Sequence, residues 1–113
     1  MSADFRQSED LAGTAPRFVE LTREVLFGDI WERPALSRRD RSLITVAALV
    51  TAYRPQQLAG HLTRAVENGV TREELVEALT HLAFYAGWPS AVTALSVLED
   101  VLSPERQSAE GST

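Results

Sequence analysis

The sequence predicts an all-α domain, a compact bundle of about five helices. Three observations predict it. Apolar residues recur at helical spacing in every segment between about residue 14 and residue 102. Prolines stand where helices would start (Pro16, Pro55, Pro89) and glycines where they would stop (Gly28, Gly69, Gly87). Two capping signatures, Ser37 with Asp40 and Thr71 with Glu74, mark further starts.

Taken in order, residues 1–13 are small and polar without periodicity and read as a flexible arm. Pro16 opens a first helix, whose Phe18, Val19, Val25 and Leu26 form an apolar side, and Gly28 closes it. "DIWERPAL" reads as a loop, because Pro34 drives Arg33 out of the helical region. Ser37 then caps "RRDRSLITVAALVTAY", apolar on nearly every side from Leu43 to Ala52. Pro55 starts "PQQLAGHLTRAVEN", which Gly69 ends as a left-handed residue. The Thr71 box opens "REELVEALTHLAFYA", stopped by Gly87, and Pro89 opens the last helix, "PSAVTALSVLEDVL". Residues 103–113 read as a flexible tail, leaving 14–102 as the helical domain. The second, fourth and fifth helices carry more apolar surface than one small bundle can hide, so an obligate homo-oligomer is expected.

Composition narrows the chemistry. The net charge of -5 gives no general attraction to nucleic acid or to an anionic membrane. No apolar run is long enough to span a bilayer, and the polar "MSADFRQSED" has no signal-peptide core, so a cytoplasmic protein is expected. The absence of cysteine excludes disulfides, thiolate metal sites and thiol nucleophiles. All 11 basic residues are arginine, which excludes a Schiff-base lysine and a Walker-type phosphate loop. With two histidines and no H-E-x-x-H spacing, no metal site is expected.

The remaining candidates are few. His61 lies i+3 from Leu58 and i−4 from Ala65, at the margin of an apolar stripe formed with Leu62 and Val66. That position suits a structural histidine, or a general acid or base in a semi-apolar pocket. Glu77, His81 and Tyr85 fall in a row on one helix face, with Trp88 close after them. They suit a surface pair beside a packed ring, or one wall of a site. Trp31 and Trp88 each join a large apolar body to a polar N–H, as interfaces and pockets both require. The arginines of "RRDR" oppose the dipole of the helix they begin, and Asp40 offsets part of that. Arg41 can turn inward to hold a carboxylate bidentately; Arg54, before Pro55, is a less specific candidate.

Three stretches in sequence order, "FGDIWERPALSRRDRSLITVAAL", "LAGHLTRAVENGVTREELVEALTHLAFYAGWP" and the Ala-rich final helix, resemble the carboxymuconolactone decarboxylase family. The resemblance covers about Phe18 to Leu102. It implies an AhpD-like all-α fold assembled as a homotrimer or homohexamer, with sites at subunit junctions. Redox relatives carry a Cys-x-x-Cys pair where this chain has Arg54 and Gln57, so peroxidase chemistry is excluded. His61 matches the retained histidine. The function implied is a cofactor-free lyase, or an isomerase, acting on a small lactone or ring carboxylic acid. In that reading His61 is the general acid, Arg41 or Arg54 binds a substrate carboxylate, and His81, Tyr85 and Trp88 help to form the pocket. The bulky Trp88 departs from the aromatic-catabolic members. The alternative is a non-catalytic helical oligomer or partner-binding module whose histidines are structural.

Overall fold

The computed structural model describes residues 9–103. Residues 104–113 of the expected tail and the first eight residues of the expected arm lie outside the described residues; Ser103 N–H closes the last helix on Glu99 O at 3.2 Å, and residues 9–14 form hydrogen-bonded turns, with Ala12 N–H on Glu9 O at 3.0 Å. Five α-helices follow: α1 (Pro16–Leu21), α2 (Arg38–Thr51), α3 (Pro55–Glu67), α4 (Arg72–Ala86) and α5 (Trp88–Leu102). No strand occurs among the described residues.

The core lies where α2–α5 meet. Each helix contributes one face at i, i+4 spacing: Val46 and Val50 from α2, Leu58, Leu62 and Ala65 from α3, Leu75 and Leu79 from α4, Ala94, Leu98 and Leu102 from α5. Small residues at Ala65 and Ala94 let the helices approach, and the leucines fill the space between. One polar tie crosses this core, from Asn68 Nδ2 to the buried Ser42 hydroxyl at 3.0 Å. It joins the end of α3 to the first turns of α2 and satisfies a serine that water cannot reach.

The helix ends follow from local chemistry. Ser37 Oγ accepts the Asp40 N–H at 3.0 Å, and Thr71 and Glu74 close a full reciprocal box at 2.9 and 3.0 Å. Gly69, at φ 100°, ends α3 in a Schellman arrangement, with Val70 N–H returning to Ala65 O at 2.9 Å. The same pattern ends α2 without a glycine. Tyr53 takes the left-handed place at φ 56°, and Arg54 N–H returns to Leu49 O at 2.9 Å.

Two local differences from the sequence reading matter for the site. The first helix reaches Gly28 as expected, but Thr22–Phe27 is wound as a π-helix. Thr22 Oγ1 donates to Phe18 O at 2.9 Å, a back-bond that bends helices, and the widened turn brings Gly28 against the carbonyls behind it. The expected loop also contains one 3-10 turn, Ile30–Glu32, before Arg33 becomes extended ahead of Pro34. Its purpose in the fold is to bury Trp31.

Much apolar surface stays uncovered in the single chain. Of the first helix's expected apolar side only Val19 is buried. Ile44 on α2 is exposed, as are Phe84, Tyr85, Trp88 and Val92 around the α4–α5 corner.

Candidate active site

The N-terminal segment places one aromatic ring on α3. A Cβ at Gly28 would stand 2.7 Å from Glu24 O and 2.8 Å from Arg23 O, so only glycine permits this tight exit from the π turn. The chain then turns through Ile30–Glu32 and inserts Trp31, 6% exposed. Phe27 stacks on it at 6.2 Å between centroids. On its other neighbour, α3, the His61 ring lies 6.3 Å away and 20° from parallel. The Arg64 guanidinium, one turn after His61, sits 4.5 Å from the Phe27 ring centre and 4.7 Å from that of Trp31. A delocalised cation over two ring faces is a favourable cation–π arrangement, strengthened by partial desolvation.

His61 is therefore deeper than the margin position its spacing suggests, at 3% exposure, while Val66 of the same expected stripe faces outward at 40%. The N-terminal segment makes the difference, since Trp31 covers a face that α3 alone would leave open.

Trp31 also lines an open cavity of about 200 Å³ with Leu26, Ile30, Leu36, Arg41 and Ile44. Arg41 turns inward here. Its Nε donates to Leu36 O at 3.2 Å and one Nη to Arg33 O at 3.0 Å, which fixes the plane of the guanidinium. A guanidinium has five N–H donors, so this anchoring leaves donors for a carboxylate in the cavity. The rest of the "RRDR" run is neutralised by tertiary partners: Arg38 pairs with Glu32 and Arg39 with Glu74. Those pairs, with Asp40, answer the unfavourable dipole of three cations at one helix start. Glu74 is held below the ordinary glutamate range, first by the Thr71 backbone N–H it accepts and then by Arg39.

The other expected residues stand elsewhere in the single chain. His81 is exposed and lines a larger groove of about 470 Å³ between α2 and α4, with Arg39, Leu43, Glu74, Glu77 and Leu82. Tyr85 packs against it, ring centres 5.0 Å apart, and is itself 78% exposed. Trp88, 63% exposed, meets Phe84 edge-on at 5.9 Å. Arg54 is exposed at the start of α3, where its guanidinium donates to Ala52 O at 3.3 Å. The structure thus places Trp31 against His61 and, in the cavity, beside Arg41, while His81, Tyr85, Trp88 and Arg54 do not line that cavity. The sequence reading singles out neither Arg64 nor Phe27. The signal was available: Arg64 is i+3 from His61, and Phe27 is i−4 from Trp31.

The family profile described as the carboxymuconolactone decarboxylase family matches residues 16–100. The chain belongs to that family. It is 35% identical over 106 residues to a 4-carboxymuconolactone decarboxylase of Acinetobacter baylyi, an alignment covering 89% of this chain and 79% of that protein. It is 37% identical over 84 residues to a nitrosuccinic acid decarboxylase of Metarhizium robertsii, covering 74% of this chain and 59% of the relative. The matched region of the carboxymuconolactone decarboxylase profile spans α1 to α4 and all but the last two residues of α5, and includes the candidates His61 and Arg41.

Proposed function

We propose that this family member is an enzyme of the carboxymuconolactone decarboxylase type, a carbon–carbon lyase releasing CO2 from a small activated acid without a cofactor. The observation that carries the reading is the shared wall: Trp31 faces both the buried His61 and a cavity into which the anchored Arg41 projects. The absence of cysteine agrees with a lyase and not a thiol peroxidase.

The two compounds named for the relatives share a chemical core. In each, the carbon that loses CO2 also bears a carboxymethyl arm and is joined to an electron sink. That sink is the unsaturated lactone carbonyl in one and the nitro group in the other. Breaking the carbon–carboxylate bond sends its electron pair into the sink, giving a dienolate or a nitronate. Arg41 is suited to hold the carboxylate that stays, bidentately and in a fixed plane. His61 then delivers a proton to carbon and recovers one from solvent, a general-acid step typically worth about 10²–10⁴-fold. The apolar lining of the cavity favours departure of neutral CO2 from a charged carboxylate.

The exposed Phe84, Tyr85, Trp88 and Val92 support a homo-oligomer, because rings this exposed on a small domain form interfaces. His81, Tyr85 and Trp88 enter the reaction, as an oxyanion-binding wall, only where a second copy carries them to the cavity.

The test is CO2 release from 4-carboxymuconolactone and, separately, from nitrosuccinic acid, with the His61→Ala and Arg41→Ala proteins alongside. Release by the native protein that is lost in His61→Ala is the expected result. A correctly folded protein that releases none from either acid overturns the decarboxylase reading. Undiminished release by His61→Ala would discard that residue as the acid.

A further inference from the structure

A buried general acid poses a geometric difficulty. His61 is 3% exposed, and the cavity wall on its side is the Trp31 indole. An imidazole that protonates a substrate carbon must come within hydrogen-bond reach of it, about 3 Å. With Trp31 seated as it is, the ring between cavity and acid has to shift first. Trp31 is also well placed to shift. It hangs from a three-residue 3-10 turn on the N-terminal segment, outside the interlocked faces of α2–α5.

What holds it in place is the aromatic–cation stack. Arg64 comes from α3, the same rigid helix that carries His61, and lies against both Phe27 and Trp31. These two rings belong to the N-terminal segment. One guanidinium thus fastens the N-terminal segment to α3. The guanidinium lies over the ring faces of Phe27 and Trp31, where cation–π attraction and dispersion act.

We infer that Trp31 is the gate controlling access to His61 and that Arg64 is the positioning residue that latches it. The inference rests on the proposed role of His61, but its test does not. Because the chain has two histidines, one covered and one exposed, diethyl pyrocarbonate provides a reading with an internal standard. Carbethoxylation of each histidine is followed by peptide mass spectrometry at one pH, with no substrate present. In the native protein His61 reacts slowly, and the rate of His81 in the same sample serves as the reference. Arg64→Met keeps the aliphatic packing and removes the charge; it accelerates His61 about tenfold while His81 is unchanged. Arg64→Lys, which restores a cation, recovers at least half of the protection.

Two results overturn the inference: an unchanged His61 rate in Arg64→Met, or an acceleration that Arg64→Lys does not reverse, since that marks loosened packing and not a lost cation. Thermal unfolding of each variant, with His81 as the reference, guards against general unfolding. A second measurement adds a readout that does not depend on histidine chemistry. In a Trp88→Phe background the remaining fluorescence reports Trp31 alone, and Arg64→Met raises its quenching by acrylamide severalfold, whereas unchanged quenching also counts against the latch. Failure of decarboxylation with both effects present would dismiss the proposed reaction and keep the gate.

Discussion

The two histidines of the chain occupy contrasting regions built from the same kind of helix. His61, on α3, is covered by Trp31 and lies one turn from Arg64; His81, on α4, is exposed beside Tyr85 over an open groove. Neither helix makes this difference alone, because each histidine stands beside an apolar stripe of its own helix. The difference comes from what lies across from it. The N-terminal segment reaches over α3 and inserts an indole, while among the described residues none covers His81 on the outer face of α4.

The largest expected effect would break this comparison outright. His61→Ala should lower the initial rate of CO2 release by about 10²–10⁴-fold and His81→Ala by at most about tenfold. Equal losses would mean that the two regions act as one. Next, Gly28→Ala forces a Cβ into the Glu24 and Arg23 carbonyls and should cost about 1–3 kcal/mol in thermal or urea unfolding. Its Trp31 emission should shift to the red as the turn carrying the indole moves, while the His81 region stays as it is. Wild-type stability would show that the π turn adapts and is not what seats Trp31.

A smaller effect of opposite sign is expected at the end of α2. Tyr53 holds a left-handed conformation that costs a non-glycine residue about 1–2 kcal/mol, so Tyr53→Gly should raise stability by up to about 1 kcal/mol. The gain should appear in the melting temperature without altering protection of His61. A loss would show that the Tyr53 hydroxyl contact with Thr93, 3.4 Å, outweighs the strain.

The smallest is electrostatic, on the His81 side. The Glu74 carboxyl is lowered in the folded protein, by the Thr71 backbone N–H first and by Arg39 after it. A lowered folded value means that its contribution to stability is present above the unfolded glutamate range and disappears as pH falls through the folded one. Glu74→Ala should therefore be less stable than the native chain near neutrality, and the gap should close in acid. A gap independent of pH would assign the effect to the lost capping hydrogen bond and packing, not to charge, since alanine's helix propensity favours the variant.

How far the sequence determined this molecule can be followed residue by residue. Pro16, Pro55, Ser37 and the Thr71–Glu74 box set helix starts by local geometry, and Gly69 and Gly87 set ends, so the five helices were legible. The family was legible too, because it is carried by the order of such segments. The π turn was not, since it depends on Gly28 meeting carbonyls that sequence spacing does not place. Nor was the meeting of Arg41 with Trp31 in one cavity, or the place of Arg64 over two rings. His81, Tyr85 and Trp88 show the same limit from the other side. The row of Glu77, His81 and Tyr85 lies on one helix, with Trp88 starting the next, yet spacing does not say which element lies opposite. Helices are decided by contacts three or four residues apart, which the sequence states directly. A site is decided by side chains brought together from distant segments, and only the packed chain fixes those distances.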